Sequence, residues 1–383
     1  TTREILKRQK NVKVLQALVE DIDTENRIVI WRNHNDTHET PYDTLIVAAG
    51  AGQSYFGKDD YAVFAPGLKT IDDALELRAR IFNSFEKAEI ATDPHEVDKL
   101  LTFVVIGAGP TGVEMAGQIR ELASHTLNKE FRSIDPKKAR ILLVDGAERP
   151  LPVFGEHLGD VTRRELESLG VEVITGALVT ALDHDSVELK FHDGTSKRIE
   201  SECKVWAAGV QASELGRVLA KRTGVELDRC GRVLVEPDLS VPGHPEIFVL
   251  GDMMSVPGVA QGAIQSARHA AATIIARLKG RKAPTAFSYR DKGSMATISR
   301  FKAVVKIGSF HLSGVSAWLA WCFLHLLYIV GFKSQLTTLV HWFFSFTTNL
   351  RPQRTVTNQQ LVGRLALEKL GAGSSGRLVA GEE

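Results

Sequence analysis

Apolar and polar positions alternate in short blocks along most of the chain, and the period of the alternation changes in a repeating order. "NVKVLQALVEDID" and "NRIVIWRN" alternate with period two and predict short strands near the start. "DTLIVAAGA" is an unbroken apolar run ending on small residues, the pattern of a strand buried on both faces. "IDDALELRARIFNSFEKAEI" shifts to helical spacing, with acidic residues in the first turn where the helix dipole favours them. "LLTFVVIGAG" and "ARILLVDGAERPL" predict further buried strands, and "DVTRRELESLG" a helix stopped by Gly170. "VEVITGALVTALDHDSVELKFHDGT" reads as more strands with an Asp-Gly turn, and "KVWAAGV" closes the block as another buried strand. "RVLVEPDLSVPGHPEIFVLGD" then leads into one long helix over "GAIQSARHAAATIIARLKG". Strand-helix alternation of this kind implies parallel sheets covered on both faces, an α/β fold.

Composition narrows the function. At 383 residues the chain is too long for one ordinary core, so more than one domain is expected. A net charge of +1 supplies no bulk attraction to nucleic acid. Cys203, Cys230 and Cys322 are far apart and form no Cys-x-x-Cys, which argues against disulfides, a zinc site or a dithiol centre within this stretch. His34, His38, His184, His192 and His311 fall in polar or turn surroundings without ligand spacing, so no metal is expected. "TTREILKRQK" has no apolar signal-peptide core.

The chemistry begins at "VVIGAGPTGVEMAG", a Gly-x-Gly-x-x-Gly placed between a buried strand and a helix. Gly107 permits the tight turn, Gly109 lets the backbone reach a pyrophosphate, and Gly112 allows close helix-strand packing. Pro110 and Thr111 open the helix, whose positive end receives the phosphates. Asp145 ends the next strand and is the acid expected to bond an adenosine ribose. Its spacing exceeds the usual ~20 residues because "NKEFRSIDPKKA" is inserted. A carboxylate there repels a 2′-phosphate, which favours NAD over NADP; an ordinary strand-end acid is the plainer alternative.

"DTLIVAAGA" and "EIFVLGD" resemble the short signatures that flank a flavin in two-dinucleotide flavoproteins. Together with "GAGPTGVEMAG", "WAAGV", "VAQGAIQ" and "KGSMATISR", they make the chain resemble the type II, single-subunit, non-proton-pumping NADH:quinone oxidoreductases, in detail the actinobacterial ones. The resemblance runs from "NVKVL" to about Arg354. It implies two Rossmann-like dinucleotide-binding domains, an FAD domain interrupted by an NAD domain, plus a C-terminal amphipathic membrane-associating region. On this reading residues 1–98 hold the second half of the first FAD-domain segment and a connecting helix, the FAD glycine loop lying upstream of Thr1. Residues 99–224 form the NADH-binding domain, 225–284 return to the FAD domain, 285–355 form the quinone and membrane region, and 356–383 a structureless Gly/Ser-rich tail.

The resemblance also implies roles. Ala49, Gly50, Ala208, Gly209 and Gly251 approach the cofactors, and Asp252 accepts a ribityl hydroxyl of FAD. Ala260 and Gln261 pack against the isoalloxazine. Gln265, one turn further on, is the second glutamine of the quinone side; Ser266 stands where the family often has another. Lys292 approaches the flavin ring, and Glu114 stands near nicotinamide and flavin. Plainer readings make Glu114 a helix-start acid, Lys292 a solvated lysine and Gln265 a surface amide. Hydride from NADH to FAD and two electrons onward to a menaquinone- or ubiquinone-type quinone is the implied reaction, with room for a homodimer.

A quinone substrate calls for contact with a bilayer. "VSAWLAWCFLHLLYIVGF" approaches the ~20 residues needed to span, but carries His325 and is followed at once by "LTTLVHWFFSF" with Arg351 and Arg354 beyond. Two interfacial helices with Trp318, Trp321 and Trp342 at headgroup level are expected, on the cytoplasmic face of the cell membrane. The competing readings are a soluble flavin reductase of the ferredoxin or disulfide type, and a flavin-free chain that only binds NAD.

Overall fold

The computed structural model describes residues 1–256, 258–284, 286–348 and 362–363. Arg351, Arg354 and all but 362–363 of the tail assigned to 356–383 lie outside the described residues. The described chain divides into two compact units, one of residues 1–52 and 210–291, the other of 53–209 and 292–348.

In the first unit, Leu18–Asp23, Ile28–Asn33 and Asp36–Pro41 form an antiparallel meander in chain order. Of the stretch "NVKVLQALVEDID" only the second half, Leu18–Asp23, is strand, and the polar start of the chain forms a short helix, Thr2–Leu6. Leu45–Val47, from "DTLIVAAGA", lies parallel to His244–Val249, from "EIFVLGD". Ile22, Val47, Leu219, Ile247, Phe248, Val249 and Ala270 close the core between these sheets and the helices Leu215–Thr223 and Ala260–Leu278.

In the second unit a parallel sheet runs in the order Cys203–Trp206, Thr102–Ile106, Arg140–Val144, Val171–Ile174. Every residue of Thr102–Ile106 is buried, as expected of a central strand covered on both faces. The helix Ile71–Ile90 starts with a capping box in which the Thr70 hydroxyl accepts from the Asp73 N–H at 3.1 Å and the Asp73 carboxylate accepts from the Thr70 N–H at 2.8 Å. At its far end Glu89 accepts N–H bonds from Arg132, Ser133 and Ile134 at 2.7, 2.9 and 3.2 Å, which folds the inserted segment down and holds the carboxyl below its usual range. Glu156–Leu169 ends at Gly170, whose φ of 89° gives the left-handed turn a helix stop needs.

The sequence reading placed no strands between 285 and 355, yet Ser294–Ser299, Lys302–Ile307 and Phe310–Ser313 form an antiparallel sheet there. Two helices follow, Gly314–Tyr328 and Phe332–Thr348, separated where Gly331 turns at φ 92°. The first is apolar on nearly every side rather than amphipathic. Ala317 and Trp318 pack on Ala303 and Val305, while Val315, Leu319, Phe323 and Leu327 stay exposed. Among the described residues no helix is long and apolar enough to cross a membrane.

Candidate active site

The fingerprint loop has a different physical reason for each glycine. Gly107 has φ 105°, and a Cβ there would lie 2.6 Å from the Ala208 nitrogen, so the strand-end turn is closed to any side chain. At Gly112 a Cβ would come within 1.7 Å of the Gly107 carbonyl oxygen, so the helix sits directly on the loop. At Gly109 a Cβ would meet nothing within 4 Å. That open space above the exposed helix start at Pro110 and Thr111 is what a pyrophosphate needs.

Asp145 is partly committed within the loop. Its carboxylate accepts from the Ala108 N–H at 2.5 Å and from the Ala147 N–H at 2.7 Å. Two bonds leave acceptor sites for ribose hydroxyls, because an ionised carboxylate offers about four. On the far side of the loop, Gln53 donates to the carbonyls of Ala208 and Gly209 at 2.9 and 3.0 Å, and Gly209 turns at φ 77°.

Glu114 lies on the same helix, Pro110–Glu121, and is half-buried. Burial pushes its carboxyl above the usual range, while the Thr297 N–H at 3.2 Å and the Thr297 hydroxyl at 3.1 Å pull the other way. The helix and the strand Ser294–Ser299 approach so closely that a Cβ on Gly117 would be 1.7 Å from the Ile298 carbonyl oxygen. A cavity of about 970 Å³ opens beside Glu114, walled by Phe82, Trp318, Trp321, Trp342 and Phe346 and edged by Gln118, Glu121 and Arg300. Lys292, just ahead of that strand, is exposed.

The flavin-side residues fall in the first unit. The Ala49 N–H donates to the Met253 sulfur at 3.1 Å, and Gly50 turns at φ 69°. Gly251 turns at φ 63° and donates to the Ser266 hydroxyl at 3.3 Å, with Asp252 beside it half-buried. Ala260 opens the long helix, and the Gln261 side-chain amide oxygen (Oε1) is buried with no hydrogen-bond partner among the described residues. A buried acceptor without a donor is costly, so it points to a donor from a bound group. These residues therefore fit FAD: the structure holds an orphan acceptor and a tight backbone turn where the sequence expects the cofactor. Gln265 differs, since both ends of its amide are paired with the Arg290 backbone. Sequence reasoning missed Thr297 and Gln53. Thr297 lies within "KGSMATISR", but nothing in its spacing announced a bond to Glu114.

A family model described as pyridine nucleotide-disulphide oxidoreductase matches residues 3–272. Two type II NADH:quinone oxidoreductases of Mycobacterium tuberculosis are similar. One is 56% identical over 96% of this chain and 81% of its own length, and the other 52% identical over 100% and 83%. Among solved structures, NDH2 from Plasmodium falciparum in complex with NADH shares the fold, with a TM-score of 0.80 at 19% identity, covering 87% of this chain and 84% of that one. The chain belongs to the type II NADH:quinone oxidoreductases, within the wider pyridine nucleotide-disulphide oxidoreductase family.

Proposed function

We propose that the chain, carrying FAD, takes a hydride from NADH and delivers two electrons to a membrane-dissolved quinone of the menaquinone or ubiquinone type at the cytoplasmic face of the cell membrane. The observation that carries this reading is the set of complementary features at the two nucleotide sites: open space at Gly109, and a buried acceptor without a donor at Gln261. Bound FAD supplies the two-electron redox chemistry. NADH lies with its pyrophosphate over Gly107 to Gly112 and its adenosine ribose on Asp145. Asp252, Gly251, Ala49 and Gly50 would hold the flavin's chain, Ala260 and Gln261 would meet its ring, and Lys292 would supply a positive charge to it.

Reduction of a quinone to a quinol takes up two electrons and two protons. A hydride supplies both electrons and one proton, so one further proton must be delivered. Glu114, held toward its protonated form by burial and lining an aromatic cavity, suits that task. The exposed apolar residues of the last two helices, among them Phe323, Leu327, Phe332 and Phe343, suit the headgroup region of a bilayer better than water. The reading is tested by following NADH absorbance with flavin-loaded enzyme and a water-soluble quinone. Oxidation of one NADH per quinone reduced is expected; NADH oxidation unaffected by quinone would defeat it.

A further inference from the structure

In the second unit the outer edge of the parallel sheet is covered by the chain that follows Gln53. Three aromatic side chains of that stretch surround Trp206, with ring centroids at 5.1 Å for Tyr55, 5.9 Å for Tyr61 and 6.4 Å for Phe56. Tyr55 and Tyr61 are buried in the core, but Phe56 is 70% exposed. An apolar ring that has a core beside it and still points outward needs a reason.

The backbone holds it there. Phe56 and Gly57 are the central residues of a tight turn closed by the Lys58 N–H, which donates to the Tyr55 carbonyl at 3.1 Å, and their φ values are 53° and 83°. A turn with positive φ at both central positions suits Asn-Gly or Gly-Gly, so phenylalanine in the first of them is strained. The base of the turn is fixed on several sides. The Trp206 indole N–H donates to the Ser54 carbonyl at 2.8 Å, and the Lys58 ammonium donates to the Tyr61 hydroxyl at 2.9 Å and the Thr180 carbonyl at 2.7 Å. Strain of this kind is concentrated at ligand sites, where the surrounding structure enforces it.

The Phe56 ring is seated on Gly209. A Cβ on Gly209 would lie 2.7 Å from the Phe56 Cζ, so glycine is what leaves the ring its room. Ala208, the residue before, closes on the fingerprint loop, since a Cβ on Gly107 would lie 2.6 Å from the Ala208 nitrogen. The strand order then gives a direction. Asp145 follows the strand Arg140–Val144 on one side of Thr102–Ile106, and Cys203–Trp206 flanks the other side at the sheet edge. A dinucleotide with its pyrophosphate over the loop and its adenosine ribose on Asp145 sends its nicotinamide half the opposite way. One strand spacing of about 4.8 Å in that direction brings it to the turn after Trp206, where Phe56 stands exposed.

We propose that Phe56 is a binding residue for the nicotinamide half of NADH, an aromatic wall at the edge of the nucleotide site. The proposal rests on the functional reading above for the placing of the nucleotide. An aromatic face accepts the neutral reduced nicotinamide by apolar contact and the positively charged oxidised ring by cation–π attraction. It leaves the adenosine half untouched.

That asymmetry sets the test. Flavin-loaded full chain, wild type or carrying Phe56→Asn or Phe56→Tyr, is titrated calorimetrically with oxidised NAD, which cannot reduce the flavin, and with ADP-ribose, which lacks the nicotinamide. Differential scanning fluorimetry supplies Tm. Asparagine tolerates positive φ, so Phe56→Asn should keep Tm within about two degrees of wild type. Its affinity for NAD should fall about three- to thirtyfold, the loss of one aromatic contact, while affinity for ADP-ribose stays within about twofold. Phe56→Tyr keeps the ring and should bind NAD as wild type does. Equal weakening of both ligands, with Tm lowered by several degrees, would make the ring part of the core and overturn the proposal. Unchanged NAD affinity in Phe56→Asn would overturn it too, and would leave the functional reading standing. Wild-type enzyme that bound neither ligand would bring down the functional reading and the proposal together.

Discussion

Gly109, which caps the helix Pro110–Glu121, and Gly117 within it should respond to the same substitution in different ways. Gly117→Ala places a Cβ 1.7 Å from the Ile298 carbonyl oxygen, where real contacts begin near 3.0 Å, so helix and strand must part by about 1.3 Å (3.0 − 1.7). Taken along the line of contact, that shift lengthens the Glu114–Thr297 hydroxyl bond from 3.1 Å to about 4.4 Å (3.1 + 1.3), beyond hydrogen-bond range. Overpacking of this kind costs about 1–3 kcal/mol, which in a unit of this size lowers Tm by roughly 2–12 °C. Gly109→Ala meets nothing within 4 Å and keeps an ordinary φ of −70°, so Tm should move by no more than about a degree. Its Cβ instead occupies the space proposed for the pyrophosphate. Losing one charge-assisted backbone contact there weakens NADH binding by roughly ten- to a hundredfold. Differential scanning fluorimetry and NADH titration of both variants separate the effects. Equal loss of stability in the two variants, or unchanged NADH affinity in Gly109→Ala, would refute the reasoning.

Other expectations follow from the same geometry. Asp145→Ala should weaken NADH binding by about 1–3 kcal/mol and narrow its advantage over NADPH, and Asp145→Asn should recover part of this by keeping one acceptor for Ala108 or Ala147, as nucleotide titrations will show. Lys204 is fully buried, with its ammonium on the carbonyls of Ser201 and His184, and burial draws it down to about 8. Its folded value lies below the unfolded one, so the unfolded chain binds more protons above pH 8 and stability rises there. Cys203, pushed up to about 12 by burial, opposes this as the pH passes 9, so the net rise should fall between pH 8 and 9 and vanish in Lys204→Met when chemical denaturation is followed across that range. Phe323 and Phe343 are 65% and 63% exposed, so Phe323→Glu/Phe343→Glu should leave Tm unchanged yet abolish co-sedimentation with anionic vesicles; binding that survives would place the membrane contact elsewhere.

Where the chemistry is local, the sequence was readable. The buried strand, the three glycines and the helix that follows them lie in one continuous stretch, Thr102 to Glu121, and Gly107 and Gly112 have the steric reason their positions implied. The long helix over Ala260–Leu278 was equally plain, because its spacing never breaks. What escaped depends on partners distant along the chain. Gly117 looked like one more small helical residue until Ile298 came against it, and Thr297 has no motif that marks it as the partner of Glu114. The sheet over 294–313 was hidden because its strands are short and the aromatic run after them dominates the pattern. Gln265 could be assigned only by resemblance, and its pairing with Arg290 has no signature in spacing.

The central claim is that one flavin site is filled by NADH and emptied by quinone. Anaerobic stopped-flow absorbance near 450 nm on flavin-loaded enzyme tests it directly, by mixing first with NADH and then with a water-soluble quinone. The account predicts bleaching by NADH, much slower bleaching by NADPH, and full return of the oxidised band on addition of one equivalent of quinone. Flavin that NADH reduces but quinone fails to reoxidise would contradict it.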